Sequence, residues 1–203
     1  MPVTKYEFPA DRLFITPQYL RLRYGSFDPN VFTRWQRRGW VEKLGKGVYR
    51  NTRKRAPYLE GEFVTSAQLV QPSYVSLHVA LHFWGLIPEH VVQITCLTTS
   101  KPCRIELPPE RYRYRHIDPK MFFGFRWAEW HGGRYLLAHP EKALLDMAYL
   151  EPDFSDPDWV YEMRFDPWEL EELDWERMDR YLRIIDSPVV NERIDILRTV
   201  TAL

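Results

Sequence analysis

The sequence predicts an α+β fold: an N-terminal winged helix-turn-helix over residues 1–55, then a mixed α/β domain over 56–203 with a helical, acidic tail from about 151. Three observations predict it. Two helix starts of the form cap residue plus proline, Thr16-Pro17 and Asp28-Pro29, precede a glycine-turned hairpin through Gly45-Lys46-Gly47. The β-branched run Val91 to Thr98 and short alternating strands follow, as a sheet requires. Charge divides the chain: residues 1–60 carry 13 Lys+Arg against 5 Asp+Glu, 61–140 carry 8 against 6, and 141–203 carry 7 against 17. A formal net charge of zero therefore conceals a basic head and an acidic tail.

In the head, Thr16 and Asp28 accept bonds from orphan helix N–H groups, proline suits the first helical position, and Gly25 and Gly39 end the two helices. At 100° per residue, Val31, Phe32 and Trp35 fall on one side of the second helix. Asn30, Thr33, Arg34 and Arg37 stack on the opposite side, with Gln36 and Arg38 at its margins. Trp40 to Leu44 and Val48 to Arg50 form the hairpin, placing Lys43, Lys46 and Arg50 on a wing.

Arginines on one amphipathic helix are also what a solvated face looks like. The concentration of basic charge in a helix-turn-helix head favours contact with the phosphates of double-stranded DNA. On that reading Asn30, Thr33, Arg34, Gln36, Arg37 and Arg38 enter or flank a major groove, while Lys43, Lys46 and Arg50 reach the backbone. The junction Asn51 to Pro57, with Arg53, Lys54 and Arg55, reads equally as a linker or as a segment lying along DNA.

A length of 203 residues with 45% apolar residues, including 8 Trp, 12 Tyr and 11 Phe, supplies two small cores and excludes a disordered chain. No run of about 18 apolar residues exists, and Met1 to Phe8 lacks the apolar stretch of a secretion signal, so a cytoplasmic protein is expected. Cys96 and Cys103 have neither a zinc spacing nor a disulfide framework and are expected as thiols.

Beyond the junction the pattern predicts a helix over Glu62 to Val70, a second helix capped by Ser73 over Tyr74 to Trp84, and a strand over Val91 to Thr98. Strands follow at Arg104 to Leu107 and Arg111 to His116, the latter alternating arginine and tyrosine on opposite faces. Phe125 to Trp130 and Arg134 to Ala138 form a hairpin. Pro140 opens a helix through Tyr149, with Leu144, Leu145 and Met147 inward, Glu141 and Lys142 at its exposed start, and the sheet of Val92, Ile94 and Cys96 beneath it. Tail helices are expected at Pro167 to Leu173, Trp175 to Ile185 and Pro188 to Thr199.

Five phrases, in this order, resemble the AbiEi family of type IV toxin-antitoxin systems. They are the head run Arg34 to Trp40 with Gly45 to Tyr49, then Tyr74 to Leu81, Gly85 to Glu89, Gln93 to Thr95, and Pro140-Glu141-Lys142-Ala143-Leu144-Leu145-Asp146. The resemblance spans roughly residues 12 to 150. It implies a winged helix that represses its own operon, and a second domain that counteracts a nucleotidyltransferase-like toxin without a stable complex. With fifteen residues before Thr16, interrupted by Pro9, the chain departs from the full pattern, its first helix being short or absent.

Enzymatic signals are weak. His78 and His82 have zinc-ligand spacing, but Val79 stands where a metalloprotease needs Glu. Asp118, Glu129 and His131 make a thin nuclease cluster without the accompanying lysine. No nucleophile elbow or phosphate-binding glycine loop occurs, so neither catalysis nor a cofactor or metal is expected. Glu141 is explained by the positive end of its helix. Three readings remain: an antitoxin that represses its own promoter, a stand-alone winged-helix regulator whose second domain senses a ligand or partner, and a nucleic-acid-processing enzyme with a targeting head.

Overall fold

The computed structural model describes residues 6–45, 47–54, 59–89, 93–107, 110–130 and 133–201. Lys46, Arg55, Val91, Val92 and His131, all named in the sequence reading, lie outside the described residues. The fold is α+β with a helical C-terminal region. Two compact units make it up: Met1–Leu69 with Glu129–Arg134, and Val70–Ala128 with Tyr135–Leu203.

The first unit contains β1 (Phe14–Ile15), α1 (Pro17–Tyr24), α2 (Asn30–Arg37), β2 (Val41–Gly45), β3 (Val48–Asn51) and α3 (Leu59–Leu69). The Thr16 hydroxyl accepts from the Tyr19 N–H at 3.1 Å, and Gly25, at φ +71°, closes α1. Strand β1 was not expected from the sequence; it pairs antiparallel with β3, giving a sheet in the order β1-β3-β2. Asn51, fully buried at the end of β3, ties this strand to the N-terminal segment: its amide donates to the Arg12 carbonyl at 2.9 Å. Ile15, Leu20, Val31, Phe32, Trp35 and Val41 form the core, and Tyr49 stacks on Phe32 at 4.1 Å between ring centres. Helix α3 packs on β2, and this compact unit runs to Leu69.

In the second unit, β4 (Ser73–Val75), α4 (His78–Phe83), β5 (Gln93–Thr98), β6 (Cys103–Leu107) and β7 (Glu110–His116) are followed by most of β8 (Phe125–Trp130) and of β9 (Gly133–Ala138), and by α5 (Pro140–Leu150). The six strands run in the order β6-β7-β5-β4-β9-β8. The expected helix from Tyr74 to Trp84 is corrected: its first turn is strand β4, paired Ser73↔Thr98, Tyr74↔Leu97 and Val75↔Cys96. Tyr74 and Val75 suit a pleated central strand, Ser73 donates to the Val70 carbonyl at 2.7 Å instead of capping, and Leu77 at φ +61° separates strand from helix. Cys96 and Cys103 form no disulfide and lie opposite Tyr114 from either side of β7.

Helix α5 buries Ala143, Leu144, Leu145, Met147 and Ala148 against α4 and two tail helices, α8 (Trp175–Ile185) and α9 (Pro188–Thr201). Its start is not exposed: Glu141 and Lys142 are 1% and 0% accessible. Side chains of Tyr74 and Ser76 reach Asp146, so α5 meets the sheet face of Tyr74 and Leu97 rather than that of Ile94 and Cys96. The tail also holds α6 (Pro157–Glu162), which the sequence reading lacked, and α7 (Pro167–Glu171). Asp156, Asp166 and Asp174 cap α6, α7 and α8. No described helix is long and apolar enough to cross a membrane.

Candidate nucleic-acid interface

The head presents one polar stripe. Because α2 sinks Val31, Phe32 and Trp35 into the core, helical periodicity turns Asn30, Thr33, Arg34 and Arg37 outward, with Gln36 and Arg38 beside them; all six are exposed. Asp28 fixes the entry to this helix. Its Oδ1 accepts from the Asn30 N–H at 2.9 Å, its Oδ2 accepts from the Arg34 guanidinium at 3.1 Å, and its own N–H donates to the Tyr6 hydroxyl at 3.0 Å. The backbone N–H of Asn30, helped by Arg34, holds the Asp28 carboxyl below its ordinary range. Arg34 is therefore a cation already bound to a cap, whereas Arg37 has no ion partner among the described residues.

The hairpin is less uniform than its composition implied. Lys43 is exposed on β2 opposite Tyr49. Arg50 pairs directly across the strands with Glu42 at 2.9 Å and is only 17% exposed, so its charge is largely neutralised within the hairpin. Lys46 lies outside the described residues. Two arginines lean on the Trp40 ring, Arg38 at 4.9 Å and Arg53 at 4.3 Å from its centre. Arg53, which the sequence placed in a junction, is thus a fixed part of the basic surface. The signal for it was Trp40 at the mouth of the hairpin, a large ring with cations on both sides in sequence.

Among the described residues, those weighed for catalysis are not assembled into a metal site. No group of three or more His, Cys, Asp or Glu able to hold a metal exists among the described residues. Asp118 caps a 3-10 turn by accepting from the Lys120 N–H at 2.9 Å, and Glu129 pairs with Arg134 at 3.4 Å. Glu141 does more than meet a helix end: it accepts from the Asp174 N–H at 2.9 Å and pairs with Arg177 at 3.3 Å, fastening α8 to α5.

No family model matches the chain, and no curated protein matches it. Among solved structures it is similar to the crystal structure of the RV2827C protein from Mycobacterium tuberculosis, with 17% identity and a TM-score of 0.54 over 93% of this chain and 72% of that one. The likeness is one of fold. It supports the α+β architecture and carries no activity across.

Proposed function

We propose that the first unit is a winged helix-turn-helix that binds double-stranded DNA, with α2 as the reading helix and the β2-β3 hairpin as the wing. The observation that carries this reading is the exposed stripe Asn30, Thr33, Arg34 and Arg37 on a helix whose other side is buried, beside a hairpin bearing Lys43. Arginine and asparagine are the side chains that bridge guanine and adenine edges in a major groove. On this reading Lys43, Arg38 and Arg53 meet phosphates, which position a protein without reading sequence.

From the ordered phrases shared with the AbiEi family, we further propose that the protein is the antitoxin and autorepressor of a type IV toxin-antitoxin operon, acting against a nucleotidyltransferase-like toxin without a stable complex. Two experiments test these halves separately. Arg34→Ala with Arg37→Ala in the full chain abolishes binding to the chain's own upstream DNA. The same variant still rescues growth when co-expressed with the adjacent gene product from foreign promoters. Loss of rescue at normal protein levels rules out the division of labour. A second reading, a stand-alone regulator whose second unit senses a ligand, is favoured by a cleft in that unit lined by Arg104, Arg113 and Arg115.

A further inference from the structure

Strand β7 sends Tyr112 and Tyr114 into the core, so period-two alternation puts Arg111, Arg113 and Arg115 on its other face. Register sets Arg113 directly opposite Arg104 on β6. Like charges placed so are unfavourable, and a strand pair has no structural need of them. Among the described residues no carboxylate lies within ion-pair reach of either guanidinium, whereas Glu151 is taken by Arg115, which also donates to the Leu150 carbonyl at 3.0 Å. Arg104, Arg113 and Arg115, with Cys103 and His116, are among the residues lining a cleft of about 380 Å³ that has no acidic residue in its wall.

We propose that this cleft binds the phosphoryl group of a small phosphorylated molecule, gripped by Arg104 and Arg113. The planar guanidinium fork matches phosphate oxygens two at a time, and a dianion between two facing arginines replaces their repulsion with two charge-assisted contacts. Arg115, held by Glu151 and the end of α5, is a rigid wall rather than a second ligand. The concave shape fits a free phosphate or a mononucleotide. Nothing in this assignment depends on the head.

Calorimetry on the full chain at constant ionic strength tests it, with inorganic phosphate and adenosine 5′-monophosphate as probes and chloride as control. Saturable phosphate binding is expected, with a rise in melting temperature as the folded state is loaded. Arg113→Gln and Arg104→Gln each lose at least tenfold in affinity. Without phosphate they melt no lower than the parent, because a repulsion has been removed. Tighter binding of the nucleotide identifies a nucleotide ligand, and equal binding identifies phosphate alone; both support the site. Arg34→Ala with Arg37→Ala leaves phosphate binding unchanged, so failure of the head reading is distinguishable. Binding no stronger than that of chloride, or undiminished in both glutamine variants, overturns the proposal. So does a loss confined to DNA binding, which would make this face part of a DNA surface.

Discussion

Lys142 and Asp146, one turn apart on α5, form an ion pair with both side chains fully buried. Their remaining bonds go to the sheet: Asp146 accepts from the Tyr74 hydroxyl at 3.0 Å and the Ser76 hydroxyl at 2.7 Å, and the Lys142 ammonium donates to the Tyr74 oxygen at 3.0 Å. Burial pushes the Asp146 carboxyl up and the Lys142 ammonium down, against the pull of the pair itself. Removing one partner leaves the other charge stranded, so Lys142→Met destabilises the protein by about 3–5 kcal/mol. Adding Asp146→Asn, which keeps an acceptor for the two hydroxyls, restores much of that loss. Urea unfolding measures both. A double variant no more stable than the single one shows that the stranded carboxylate is not the cause.

Gly124 is the close approach that makes room for this lysine. It sits at φ +75°, and a Cβ there would lie 2.9 Å from Lys142 Cγ and 3.1 Å from its Cβ. Left-handed backbone and overpacking add to about 2–4 kcal/mol for Gly124→Ala, a visible fall in melting temperature. An unchanged melting curve refutes the close approach.

Stability falls in mild acid through two histidines. Burial, with Arg115 nearby, lowers His78; burial, with Arg177 and Arg126, lowers His139 at the start of α5. Both folded values lie below the ordinary 6.5, so the unfolded chain binds more protons. The stabilisation is complete above about 6.5 and is lost as pH falls through that value toward the folded ones. His78→Gln with His139→Gln flattens melting temperature against pH between 7 and 5. An unaltered slope assigns the acid loss to carboxylates instead.

Helices α1 and α2 were legible because the rules that set them are local. Thr16-Pro17 names the cap of α1, Asp28 accepts from the Asn30 N–H at the start of α2, Gly25 and Gly39 follow the two helices with positive φ, and Trp35 marks the buried side of α2. What failed was set by distant partners. Tyr74 follows a serine and reads as a helix start, but Leu97 on β5 claims it for a strand. Lys142 near a helix start reads as solvated, yet Tyr74 and Asp146 enclose it. Helix α6 is the exception: Asp156-Pro157 carried the same cap-plus-proline signal as Asp166-Pro167 and was legible in principle.

The two arginines of the exposed α2 stripe differ in their surroundings, and under the proposed DNA-binding function so should their alanine variants. Arg37 projects without an ion partner among the described residues, so Arg37→Ala costs about 1–3 kcal/mol of discrimination at one base position. Arg34 covers Asp28 as well as facing outward. Under the proposed DNA-binding function, Arg34→Ala uncovers the Asp28 carboxylate at the interface and weakens specific and non-specific binding together. Changing Asp28→Asn on that background removes the repulsion, restoring non-specific binding while sequence preference stays relaxed. The cap survives in part because an amide oxygen still accepts from the Asn30 N–H. Fluorescence anisotropy with operator and scrambled duplexes at two salt concentrations separates the terms. If neither Arg34→Ala nor Arg37→Ala alters sequence preference in a protein that still folds, α2 does not read bases.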